Sequence, residues 1–122
     1  MRRLVAVVAV ALVSALALTG CGSDDSTSGD GSAGPAKKIS IAINGEDTDP
    51  SGQKIDVSVG QKIEFDVTAD VAGEIHVHSS PEQEFEYDPG STTLTVDPVE
   101  RPGQVTVESH TLDKVLFTLV AR

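Results

Sequence analysis

The chain has 122 residues, 39% hydrophobic and 3% aromatic, and its 9 Lys and Arg against 19 Asp and Glu leave a net charge of −10. Such acidity argues against a nucleic-acid partner and against direct adhesion to anionic lipid, and favours solubility and attraction of cations. Cys21 is the single cysteine, which excludes an internal disulfide, so stability must come from packing.

Arg2 and Arg3 are followed from Leu4 to Leu18 by residues that are apolar except Ser14. A membrane-spanning helix needs about 20 apolar residues. The run is too short for that, and its positive flank suits a signal peptide over residues 1–20. It ends in Leu18-Thr19-Gly20-Cys21, which resembles the lipobox of bacterial lipoproteins. The resemblance implies that the Cys21 thiol carries a diacylglyceryl group, that cleavage falls before Cys21, and that the protein sits on the outer face of the cell membrane. Two acyl chains anchor stably where one binds only marginally. Loss of residues 1–20 leaves seven basic against nineteen acidic side chains, a net charge of −12. Residues 21–36 read as the lipidated Cys and a flexible tether rich in Gly, Ser and Asp. A tether of that kind reaches roughly 20 Å.

Residues 37–122 read as one all-β domain. Apolar side chains alternate at Ile39, Ile41 and Ile43, at Ile55, Val57 and Val59, and at Ile63, Phe65 and Val67. The pattern continues at Ile75 and Val77, Leu94 and Val96, and Val105 and Val107, before a last apolar strand from Val115 to Val120. Period two marks strands with one buried face. Turn chemistry separates them, at Asn44-Gly45, Pro50-Ser51-Gly52, Gly60, Ala72-Gly73, Pro89-Gly90 and Pro102-Gly103. Seven or eight short strands at this spacing predict a β-sandwich or a Greek-key barrel. Glu82, Glu84, Glu86 and Asp88 alternate with Gln83, Phe85 and Tyr87, an acidic face over two core aromatics. Glu46, Asp47 and Asp49 lack the spacing and final Glu of an EF-hand and read as a polar loop.

The residues that can carry chemistry are few. With Ile75 and Val77 facing the core, His76 and His78 share the opposite face, about 7 Å apart. On the segment Gln104 to His110, the side chains of Thr106, Glu108 and His110 face away from Val105, Val107 and Ser109. If the two strands are neighbours, His76, His78, His110 and Glu108 meet on one patch. Three imidazoles and a carboxylate suit zinc or copper. The alternative is that these histidines are surface polar residues with no ligand. The sequence carries neither a Gly-x-Ser-x-Gly elbow nor a His-Glu-x-x-His helix. Ser109 and His110, as neighbours in an extended strand, point to opposite faces and cannot form a catalytic pair. The expectation is therefore that the chain is not an enzyme.

The domain resembles the cupredoxin-like family, especially small cupredoxin-like lipoproteins of high-GC Gram-positive bacteria. The likeness rests on Val57-Ser58-Val59-Gly60-Gln61-Lys62-Ile63-Glu64-Phe65, on Glu74-Ile75-His76-Val77-His78, on the segment from Pro102 to His110, and on the closing strand from Leu116 to Val120, in that order. It implies a cupredoxin-like sandwich in which the His-bearing strand lies beside the strand after the Pro-Gly turn, with His76 or His78 near His110. The departures limit it. Ser109 stands where the family pattern puts a Cys, and Ser79-Ser80-Pro81 stands where these relatives often show Gly-Tyr-Asp. A blue-copper centre needs a thiolate and usually an axial Met; the lipobox resemblance commits Cys21, the single Cys, to lipid, and Met1 is the only Met. No blue-copper centre is expected, and a bound copper or zinc ion would sit among nitrogen and oxygen donors. Two functions follow: metal binding without blue-copper electron transfer, or a metal-free sandwich that binds a protein or another partner in the cell envelope.

Overall fold

The computed structural model describes residues 34–122. The expected signal peptide, Cys21 and most of the expected tether lie outside the described residues. Nine strands follow in order: β1 (Lys37–Asn44), β2 (Asp47–Asp49), β3 (Gln53–Val57), β4 (Ile63–Ala69), β5 (Gly73–Val77), β6 (Gln83–Tyr87), β7 (Gly90–Val96), β8 (Gly103–Ser109) and β9 (Lys114–Ala121). They form a four-stranded sheet, β2-β1-β4-β7, and a five-stranded sheet, β3-β9-β8-β5-β6. Pairing is parallel for β1 with β4 and for β3 with β9, and antiparallel elsewhere. No helix among the described residues is long and apolar enough to cross a membrane.

The alternating sequence explains the two layers. Ile39, Ile41 and Ile43 of β1 and Ile63, Phe65 and Val67 of β4 are buried, as are Ile75, Val77, Val105, Val107 and Leu119 from the other sheet. Phe65 and Phe117 meet across the sandwich edge to face, with ring centroids 5.4 Å apart and planes at 86°. Edge-to-face pairs of this kind add to the stability that burial alone provides.

The structure has more strands than the seven or eight expected. β2 is the addition that alternation could not reveal, because three residues hold less than two periods. The segment expected to be a polar loop is the end of a hairpin: Asn44 pairs with Asp47 across Gly45 and Glu46. Gly45 takes a positive φ of 59° at the first loop position, as a type II′ turn requires. Its N–H donates to Asp70 Oδ2 at 2.8 Å, tying the hairpin to the end of β4.

Alternation also fails at the start of β9, where Val115 is exposed while Leu116 and Phe117 are both fully buried. A register shift between Val107 and Glu108 on the facing strand accounts for it. Such a bulge disturbs the two-residue period locally and turns the strand more sharply.

Candidate metal centre

β5 lies between β8 and β6 in the five-stranded sheet. Ile75 and Val77 are fully buried, so the strand's other face turns outward with Glu74, His76 and His78. The β5–β8 register sets His76 opposite Glu108. Backbone hydrogen bonds extend this ladder at both ends: His110 N–H donates to the Glu74 carbonyl at 3.0 Å, and His78 N–H to the Thr106 carbonyl at 2.9 Å. Because the strands are antiparallel, His110 falls beside Glu74 and His78 lies at the far end. On the other flank, His76 pairs with Glu84 and Glu74 with Glu86.

Three side chains converge as a result. Glu74, His76 and His110 each offer a ligand atom, all within 4.8 Å of one another. The His76 and His110 rings stack, with centroids 4.6 Å apart and planes 8° from parallel. His76 Nε2 makes a close charge-assisted contact with Glu74 Oε1. The His76 side chain is 15% exposed. That leaves it shielded by its neighbours yet open to solvent on one side.

His78 belongs to a second group. Its Nδ1 lies 3.0 Å from Glu82 Oε1 and its Nε2 3.0 Å from Glu108 Oε2. Of the four residues expected together, the structure thus brings His76 and His110 together and pairs His78 with Glu108 beside them. The His76 and His78 ring centroids are 6.2 Å apart. Two further carboxylates approach His76: Glu82 Oε1 lies 3.8 Å from Nδ1, and Glu84 Oε1 lies 3.9 Å from Nε2.

Sequence reasoning missed Glu74 and Glu82 as members of the site. The signal for Glu74 was available, since it stands two residues before His76 and period two puts it on the same face. Glu82 precedes β6, and only the fold of the intervening turn brings it back to the histidines.

The carboxylates set the charge of the site. The hydrogen bond to Glu74 raises the His76 pKa above the ordinary histidine value, and the charges of Glu74, Glu84 and Glu82 add to this; loss of hydration on burial opposes it. In a field of this sign a cation is attracted.

The turn after β8 holds the site to β5. Thr111 Oγ1 accepts from Glu74 N–H at 3.0 Å. Asp113 N–H donates to the His110 carbonyl at 3.3 Å. Ser109, the one buried polar side chain in the described core, accepts from Leu112 N–H at 3.3 Å. Ser109 pairs with buried Ile75 on the inner face. The position where the family resemblance puts a thiolate therefore points away from the histidine cluster.

Two imidazoles and a carboxylate fit zinc or divalent copper. Tetrahedral ligands held about 2.0–2.1 Å from a metal stand roughly 3.3 Å from each other. The ligand atoms of the three side chains lie within 4.8 Å of one another, so small rotamer adjustments would bring them to that spacing. A cleft of about 790 Å³ opens beside His78, with Pro81, Pro98, Val99, Arg101 and Pro102 in its walls.

No protein-family model and no curated protein matches the chain. Among solved structures it is similar to the crystal structure of a multi-copper oxidase from Pediococcus acidilactici, with a TM-score of 0.52 at 13% sequence identity. The match covers 72% of this chain and 26% of that one, so the chain spans about a quarter of the oxidase's length. This finding corrects the expectation that the chain is not an enzyme. A chain of this fold belongs to an oxidase, so the lack of a familiar catalytic motif does not exclude an activity. At this identity the likeness bears on architecture alone, and by architecture residues 37–122 form a cupredoxin-like β-sandwich.

Proposed function

We propose that the protein is a lipoprotein anchored through Cys21 to the outer face of the cell membrane, and that its cupredoxin-like domain binds a divalent copper or zinc ion without a blue-copper centre. The observation that carries the metal reading is the convergence of Glu74, His76 and His110 from two neighbouring strands. These three would be the ligands, leaving a coordination position open to water or to another donor. His78 and Glu108 stand beside them as a hydrogen-bonded pair. The acidic outer face formed by Glu82, Glu84 and Glu86 would concentrate cations around the site. Support for the anchor comes from the sequence Leu18-Thr19-Gly20-Cys21 after a short apolar run. Calorimetric titration of the purified protein with Cu²⁺ and Zn²⁺ tests the metal reading. Saturable binding that Glu74→Gln weakens supports it; uptake unaffected by that change contradicts it.

The cleft beside His78 favours a second reading, in which an envelope protein docks there. Proline and valine walls offer apolar surface of fixed shape, which costs little conformational entropy on binding. Arg101→Glu would then weaken capture of the partner without changing metal uptake.

A further inference from the structure

His76 is flanked by carboxylates at both ring nitrogens. Nε2 faces Glu74 and the proposed ion held with His110. Nδ1 points the other way, towards Glu82 Oε1 at 3.8 Å, and the same Glu82 oxygen lies 3.0 Å from Nδ1 of His78. One Glu82 oxygen thus stands between two imidazole nitrogens. There, His78 has the support that metal-bound histidines ordinarily have. Its Nε2 is 3.0 Å from Glu108 Oε2. When Nε2–H donates to that carboxylate, the proton is fixed on Nε2 and the Nδ1 lone pair is aimed at Glu82 and His76.

We infer that the outer face of this sheet holds a second divalent metal ion, ligated by Nδ1 of His76, Nδ1 of His78 and Glu82, with the His76 ring bridging it to the first. The inference rests on the metal reading of Glu74, His76 and His110. Coordination at both nitrogens leaves the His76 ring as an imidazolate, and its displaced proton goes to solvent. Each ion then has two nitrogens and one carboxylate oxygen: His76, His110 and Glu74 for the first, His76, His78 and Glu82 for the second. Glu108 is a positioning residue for His78 and does not touch either ion. Four carboxylates around the imidazoles, Glu74, Glu82, Glu84 and Glu108, supply negative charge that offsets two adjacent dications.

The arrangement also explains why His78 is separate from the first cluster. Antiparallel register carries His110 to one end of the patch and leaves His78 at the other, with His76 between them. The middle residue of the three is the one that can serve both ends.

The test is copper titration of the purified protein, followed by calorimetry and by electron paramagnetic resonance. The wild type should take up two Cu²⁺ per chain. Its resonance signal should rise with the first equivalent and fall with the second, because an imidazolate bridge couples the two unpaired spins. His78→Ala should bind one Cu²⁺ with full signal. Glu108→Gln should weaken the second ion by about 10- to 100-fold and leave the first unchanged. Two ions with undiminished signal would overturn the bridge. One ion bound equally by wild type and His78→Ala would overturn the second site while the first stands. No saturable uptake by the wild type would remove both.

Discussion

The imidazole of His110 lies flat against that of His76, 4.6 Å between centroids, although the two belong to different segments of the chain. The contact follows from register. His110 N–H is bonded to the Glu74 carbonyl, so the residue just beyond β8 is drawn to the start of β5. The neutral imidazole is the form that binds metal, and the stacking sets two such rings side by side.

Acidity should act on the metal-free and metal-bound forms in opposite directions. Glu74 raises the His76 pKa in the folded state above its ordinary value of 6.5. The resulting stabilisation is complete below the unfolded-state pKa and is lost as pH rises through the raised folded value. The metal-free protein should therefore melt at a lower temperature at pH 8 than at pH 6, and His76→Ala should flatten that slope. Metal affinity should do the reverse, falling as the pH drops, because protons compete for the imidazoles. Thermal melts and titrations across this range check both.

The core prediction concerns Phe65, which is fully buried against Phe117. Phe65→Ala should cost about 3–5 kcal/mol. Each kcal/mol shifts the melting temperature of a domain this size by roughly 4–8 °C. The midpoint should fall by roughly 15–30 °C, and a domain of ordinary stability, about 5–15 kcal/mol, keeps little in reserve. An unchanged melting temperature would show that the side chain does not lie between the sheets.

Gly73 makes a second test of packing, close to the site. A Cβ there would stand 2.3 Å from the Tyr87 hydroxyl and 2.8 Å from Thr111 Oγ1. Tyr87 is buried and cannot swing into solvent without exposing its ring. Gly73→Ala should cost about 1–3 kcal/mol by overpacking. It should also loosen the Thr111 bond to Glu74, so metal affinity should fall together with stability. A variant that melts and binds like the wild type would show that Tyr87 is not held against this glycine.

Cys21→Ala tests the anchor. No other thiol exists in the chain to accept lipid. The variant should accumulate as an unprocessed precursor without incorporated acyl label, measured by mass spectrometry and lipid labelling. Normal cleavage and labelling would contradict the lipoprotein reading.

The fold was legible where alternation ran long enough. Ile39, Ile41 and Ile43, and Ile63, Phe65 and Val67, face inward as their spacing implies. β2 was too short to show a period, and the bulge at Leu116 in β9 made two consecutive inward residues that no period-two reading anticipates. In the candidate site, the faces of His76, His78, Glu108 and His110 followed from parity alone. Their grouping did not, because it depends on which residues stand opposite each other. A shift of two residues in the β5–β8 register would keep every side chain on the same face yet place His76 opposite His110 and His78 opposite Glu108. That register is set by turns and packing elsewhere in the sandwich, and the turn before β6 likewise makes Glu82 a site residue only in the folded molecule.

The central claim is that Glu74, His76 and His110 hold a divalent ion, and calorimetric titration of Zn²⁺ into the wild type, His76→Ala and His110→Ala tests it most directly. The wild type should bind saturably. His110→Ala should weaken the first ion by about 100-fold or more, as expected for loss of one of three ligands, while His76→Ala should abolish tight binding altogether. Both variants should keep the wild-type circular dichroism spectrum, since neither ring contributes to the core. Equal, weak uptake by all three proteins would contradict the account and reduce the cluster to surface histidines.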